Sequence, residues 1–407
     1  MNRPMLIPGL PRTWRAPGEL QLGSDPARAL VLRLPDPRTA RVLDLLDGSR
    51  SERLVLLGAA ELGVSPDECR MLLSTLHAAG LTLPATSLMP HTITPGARER
   101  LIGEAAALAM LSPTYPQVIP QSRPPSPSSR GGMLPAQRLR RRAAARVVLA
   151  GRGRLGAGIA VALAEAGVGH VRPDLPGPVA PDELAGGPLS AADVGRPRSE
   201  AITEAISRAA PGTHSGVRRG PATLIVQLDP DEPTTLLAAA HARRAQPHLA
   251  VTIRDGAAVI GPLVPPTGAP CLNCLDLHRR DRDADWPGAP RRTGAEPCTV
   301  TTLLAATAVA AAEVLTFLDG GKPDTLGATL ELTAPASTRR RTWPPHPDCP
   351  CARRWNPTAP RKAPAPAAGS PSPPHTPTNQ HRNTPPPNRQ TATFPPASKP
   401  KGTDQDG

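Results

Sequence analysis

Apolar residues fall into two patterns along the chain. From Ala29 to Leu34 valine and leucine run together as in a strand, and Asp36-Pro37 then opens a helix that Gly48 follows closely. A second helix begins at Ser51 and ends near Gly63. Ser65-Pro66-Asp67-Glu68 supplies an N-cap, a proline at the first helical position and a capping-box glutamate for a third. Its apolar face, Cys69, Leu72, Leu73 and Leu76, follows the i, i+3, i+4, i+7 rule, and Gly80 ends it before a short strand, Leu81 to Leu83. The order strand, three helices, strand predicts a small winged-helix domain over 1–95. A helix around Ala97 to Leu111 and a Pro/Ser-rich stretch read as helix and flexible linker over 96–145.

The pattern changes at Arg146. Arg146 to Ala150 reads as a short buried strand, followed directly by Gly151-Arg152-Gly153-Arg154-Leu155-Gly156 and an alanine-rich helix that ends at Gly167. This is G-x-G-x-x-G in its strand-turn-helix setting. Gly151 and Gly153 let the backbone turn tightly and approach a phosphate, Gly156 allows close helix packing, and the helix N-terminus offers free N–H groups to an anion. Asp174, 18 residues past Gly156, stands where an acid holds a ribose. On this motif alone NAD, FAD and ATP compete. The second domain is expected over 146–352, an α/β domain of the dinucleotide-binding, Rossmann-like type.

Composition removes part of the chain from the fold. Of 56 prolines, 14 lie beyond Arg353 among Ala, Ser, Thr and Asn, so 353–407 is expected to be a disordered tail. The net charge of +13 suggests nucleic acid at first, but the tail holds eight Lys/Arg against two Asp, and Arg138, Arg140, Arg141 and Arg142 fall in the expected linker. The remainder is nearly balanced and has no aromatic residues interleaved with basic ones, which argues against a nucleic-acid partner. Thr299 to Leu318 is apolar enough to raise a membrane-spanning reading, yet it is rich in Ala and Thr and carries Glu313, so a helix packed on a sheet is expected, with no membrane partner. The N-terminal stretch to Gly18 lacks an apolar run of signal-peptide length, and a cytoplasmic location is expected.

Cysteines add a second chemistry. Cys271-Leu272-Asn273-Cys274 is one close pair and Cys349-Pro350-Cys351 another, 75 residues on. Four soft ligands on two turns fit tetrahedral zinc, with a structural role, and disulfides are the rival reading. His346 is an alternative ligand. Asp276, His278, Arg279 and Asp281 behind Cys274 read as a charged helix start. Cys69 falls on a core-facing stripe, and Cys298 is a helix-start residue or a thiol nucleophile.

"AGVGHV" at 166–171 with "DVGRPRSEA" at 193–201 resembles the ThiF family of ubiquitin-activating-like adenylyltransferases. That resemblance implies a mixed, mostly parallel sheet flanked by helices, ATP at the glycine loop with its ribose toward Asp174, and Arg198 in place of a phosphate-contacting lysine. The phrase "LIVQLDPDEP" is similar to the family's strand that ends in a magnesium-binding aspartate, which makes Asp229 or Asp231 the candidate. Three departures weaken catalysis: Gly177 stands near the second acid of the family's D-x-D, and its asparagine and Arg-Gln pair have no counterpart from Ala180 to Asp193. "LDLLDGSRS" and "LLSTLHAAGLTL" resemble the PqqD-like domain that binds leaders of ribosomally made peptides. "CLNCLDLHRRDRDADWP", "LGATLEL" and "WPPHPDCPC" are similar to a ThiF subgroup found with azoline-forming enzymes. The implied function is capture of a precursor-peptide leader and its presentation to a cyclodehydratase, by a protein expected to be a homodimer. The alternative is an active adenylyltransferase that uses ATP and magnesium on a peptide or sulfur-carrier carboxylate, with Arg198 and Asp229 as its catalytic residues.

Overall fold

The computed structural model describes residues 3–111 except 27 and 35, 133–288 except 231, 267 and 269, and 296–351. The tail expected over 353–407, the Pro/Ser-rich stretch 113–132 and Asp231 thus lie outside the described residues.

The N-terminal part carries more strand than its apolar pattern indicates. Strands β1 (Pro4–Leu6), β2 (Arg12–Ala16), β3 (Glu19–Leu22) and β4 (Leu30–Arg33) come first. Strands β2, β3 and β4 form an antiparallel sheet with β4 at an edge. The stretch Pro37–Leu45, expected as an α-helix, is a 3-10 helix. Helices α1 (Glu52–Glu61) and α2 (Pro66–Ala78) follow, capped by Ser51 and, as the sequence predicts, by Ser65. Glu68 does not close a capping box; its carboxylate accepts a hydrogen bond of 2.6 Å from Thr39 and ties α2 to the 3-10 helix. Strand β5 (Thr82–Pro84) pairs antiparallel with β1, and α3 (Ala85–Leu88) and α4 (Pro95–Met110) complete this part. Leu22, Val42, Val55, Cys69, Leu76 and Leu101 are among the buried residues of its core.

The arginine run assigned to linker is helix α5 (Pro135–Ala144). Proline at its start and Leu139 and Arg142 on its buried side make it amphipathic, and Arg142 is 3% exposed. Its guanidinium donates to Glu104 at 2.6 Å, to Asp319 at 2.7 Å and to the Ala166 carbonyl at 3.1 Å. These bonds satisfy a charge that burial alone would penalise.

The second core surrounds a seven-stranded sheet. Its elements are β6 (Arg146–Ala150), α6 (Leu155–Glu165), β7 (His170–Asp174), α7 (Arg198–Ala209), β8 (Leu224–Gln227), α8 (Thr234–Arg243), β9 (His248–Arg254), β10 (Ala257–Val264), α9 (Leu272–Arg280), α10 (Val300–Leu318), β11 (Ala328–Ala334) and β12 (Ser337–Thr342). Strand order is β12-β11-β10-β9-β8-β6-β7. Strands β7, β6, β8 and β9 pair in parallel, and β10, β11 and β12 are each antiparallel to the preceding neighbour. The chain leaves β6 for β7 on one side and later returns to β8 on the other. The switch point therefore lies at the carboxyl end of β6, where open α/β sheets bind ligands.

Among the described residues α10 is the one helix long and apolar enough to cross a membrane. Its Leu303, Ala306, Ala310 and Val314 are buried in the sheet's core. Its one charge, Glu313, accepts from the Thr325 backbone at 2.8 Å and the Thr325 hydroxyl at 2.5 Å.

Candidate functional site

The glycine loop occupies the switch point. Gly151 and Gly153 have φ of +106° and +128°, in the region that favours glycine. A Cβ on Gly151 would stand 2.7 Å from the Leu228 carbonyl oxygen, and one on Gly156 would stand 2.8 Å from Leu175 and 3.0 Å from Leu228. Each glycine thus lets the loop and α6 lie against the strand ends. Asp174 ends β7 directly opposite Ala150, the last residue before the loop, and pairs with Arg172 at 3.2 Å.

Asp229 joins them across β8. The Arg152 N–H donates to its carbonyl at 3.1 Å, and the Thr252 hydroxyl donates to its carboxylate. A cleft of about 880 Å³ runs past Gly151, Asp174, Glu200, Gln227 and Pro230, large enough for a nucleotide.

Arg198 does something different from the role its position suggests. It is 8% exposed, and its guanidinium grips the Glu183 carboxylate with bonds of 2.8 and 2.6 Å. It also donates to the carbonyls of Pro176 and Pro178. Four of its donors are therefore spent on the loop after β7, and Arg198 holds that loop to the start of α7.

A residue not singled out in the sequence stands at the anion position. The Glu296 carboxylate accepts the Arg154 N–H at 2.8 Å, in the first turn of α6, and a Cβ on Gly153 would lie 3.1 Å from it. It is the negative charge that the helix N-terminus attracts. Its position 142 residues from Arg154 in sequence is why no local pattern reveals it. The Arg154 side chain fixes the same segment by donating to the carbonyls of Glu296 at 2.9 Å and Cys298 at 3.1 Å. Burial pushes the Cys298 thiol up, away from the thiolate a nucleophile needs.

The four cysteines converge as predicted. Cys271, Cys274, Cys349 and Cys351 are buried and free of disulfides, with all four sulfurs within 4.8 Å of one another. Sulfur separations of 3.9, 3.6 and 3.2 Å come near the edge of about 3.8 Å that a tetrahedron with Zn–S of about 2.3 Å requires. Hydrogen bonds among the four sulfurs, led by those with Cys271, lower the Cys274 and Cys349 thiols and raise those of Cys271 and Cys351, as in a cluster that shares protons. His346 stands outside the four-sulfur cluster and groups instead with His278 and Asp281: its Nε2 meets Asp281 at 2.9 Å, and its Nδ1 accepts the Asp348 N–H at 3.1 Å. Trp343 and Leu272 pack around the cluster, which joins α9 to the chain beyond β12.

In the N-terminal part, a cleft of about 840 Å³ separates the β4 edge from α2, lined by Arg15, Val31, Arg33, Glu68, Met71 and Thr75.

The mixed seven-stranded sheet, with the glycine loop at its switch point and flanking helices, is a fold shared with solved structures. The chain is similar along most of its length to E. coli MccB, with 15% identity, a TM-score of 0.53, and 86% of this chain and 99% of MccB covered. PaaA gives 15% identity and a TM-score of 0.53 over 82% of this chain and 98% of its own. MccB, a microcin C7 biosynthetic enzyme, has been captured with N-formylated MccA and, separately, with ATP. No family model matches the chain, and no curated protein matches it by sequence.

Proposed function

We propose that this chain binds a ribosomally made peptide and activates one of its carboxylates with ATP. The observation that carries the reading is the meeting of the glycine loop, Asp174 and Asp229 at one switch point, with Asp229 held by Thr252. ATP would lie along the cleft with its ribose at Asp174 and its phosphates at Gly151 and Gly153, and would displace the Glu296 carboxylate from α6. Asp229 would hold magnesium, which neutralises the phosphates. A peptide carboxylate oxygen then bonds to the α-phosphorus, the bond from that phosphorus to the bridging oxygen breaks, and pyrophosphate leaves.

Support for the peptide comes from the likeness to MccB and from the N-terminal cleft. The unpaired edge of β4 offers backbone N–H and C=O groups to an added strand, and α2 supplies a wall for its side chains. We assign residues 1–95 as a winged-helix, PqqD-like leader-binding unit on that basis. The cysteine cluster is read as structural zinc, because four protein ligands leave no open position.

A second reading is favoured by Arg198. With its guanidinium committed to Glu183, the chain lacks the phosphate-gripping cation at that place, as expected of a protein that only presents a leader-bound peptide to a cyclodehydratase. ATP–pyrophosphate exchange with a candidate precursor peptide present decides between them. Exchange that disappears in Asp229→Asn supports adenylation; ATP binding without exchange in the wild type supports presentation.

A further inference from the structure

A second cavity, of about 400 Å³, opens between β9, β10, β11 and α9, and it shares Gln227, Pro230 and Leu237 with the nucleotide cleft. Three cations face it from three elements: Arg254 at the end of β9, Arg279 in the last turn of α9 and Arg341 in β12. All three are half-buried. Among the described residues none of them makes an ion pair or a side-chain hydrogen bond, and this includes the nearby acids Asp255 and Glu331. Arg279 lies over the Trp286 ring at 5.7 Å, and Arg341 lies over Trp343 at 4.6 Å. Burial, with the charge of Arg254 next, pulls Arg279 down to about 10.

Asp255, Glu331 and Asp276 offset these three half-buried like charges only at a distance, without an ion pair, and an anion that joins them directly relieves the remaining cost. Planar guanidinium groups with free donors match a carboxylate in pairs, and the indole faces hold their orientation. The cavity ends at Asp229, where activation is proposed. We infer that this cavity is a specificity subsite for an acidic residue of the peptide, whose aspartate or glutamate carboxylate is gripped by Arg254, Arg279 and Arg341 between Trp286 and Trp343. The inference rests on the peptide reading above and names the substrate class: a peptide with an acidic side chain close to its reacting carboxyl.

The test uses the full zinc-loaded chain at low salt and follows tryptophan fluorescence and calorimetry. The probes are acetyl-Ala-Asp-Ala-amide, its Asn analogue and inorganic tripolyphosphate. The Asp peptide should bind at least about tenfold tighter than the Asn peptide, and Arg279→Gln should remove most of that preference, since a hydrogen bond to a charged group contributes about 1.5–3 kcal/mol and about 1.4 kcal/mol is tenfold. If Arg279→Gln fails to fold, Arg254→Gln reports the same preference. Equal binding of the two peptides, or binding of neither, overturns the subsite. Tripolyphosphate that displaces the Asp peptide and binds more tightly also overturns it, as a phosphate site. ATP titrated into the wild type separates the two readings: lost peptide preference with ATP bound removes the subsite alone, and peptide preference without ATP binding removes adenylation alone.

Discussion

Glu296 offers a direct measure of how the glycine loop treats an anion. Replacing it with glutamine keeps the shape and an acceptor oxygen but removes the charge that meets the Arg154 N–H at 2.8 Å. A hydrogen bond to a charged group contributes about 1.5–3 kcal/mol and a neutral one about 1 kcal/mol, while the charge–dipole part at a helix N-terminus is about 0.3–1 kcal/mol. The substitution should therefore cost the free protein about 1 kcal/mol of stability. It should return a similar amount to any ligand that has to displace the side chain, so ATP should bind roughly five- to tenfold more tightly. The bonds that the Arg154 guanidinium donates to the carbonyls of Glu296 and Cys298 are untouched by the change. Calorimetric titration with magnesium-ATP gives the affinity, and urea unfolding gives the stability. ATP affinity that stays level or falls in Glu296→Gln would refute the idea that this carboxylate stands where a phosphate binds.

Two further outcomes are expected. Cys349→Ser should lower bound zinc from one per chain to well below one and lower the melting temperature by roughly 5–10 °C, at about 2–4 °C per kcal/mol; metal analysis and calorimetry check both. His241 and His248 stack with centroids 4.2 Å apart, and burial holds His241 down to about 4 and His248 below its ordinary value. Because the folded pKa lies below the unfolded one, the unfolded chain binds the extra proton, so stability is present above about pH 6.5 and is lost as pH falls toward 4, by at most about 1 kcal/mol per unit for His241. Urea midpoints at pH 7 and pH 5 should differ, and His241→Phe should narrow the difference.

What the sequence made legible was local chemistry. Ser51, Ser65 and Pro66 marked helix starts because a cap acts within one turn, and Gly151, Gly153 and Gly156 marked the loop because their backbone demands are local. The cysteine pairs were legible because two short spacings already imply a common ion. The contacts that define the site are long-range. Arg198 matched a motif by position, yet Glu183, fifteen residues away, takes its charge, and nothing in the local spacing indicates which acid wins. Glu296 and the three arginines of the second cavity meet their neighbours only after the sheet closes. Strands β1 to β3 escaped notice because each is five residues or fewer, so their alternation is too short to stand out from a Pro- and Arg-rich stretch.

Arg142 has a further consequence. It ties α4 to the end of α10 and to the last turn of α6, the helix that begins at the glycine loop. Leu139, on the same helix, is buried in the N-terminal core. Helix α5 therefore acts as a rivet, and the strand edge that would hold a leader keeps a set distance from Asp229. If the proposed leader binding holds, a peptide would be chosen by the number of residues between the part that is held and the part that reacts, and the molecule would work as a ruler as much as a binding surface. Lengthening or shortening that spacer by two or three residues should matter more than changing its composition.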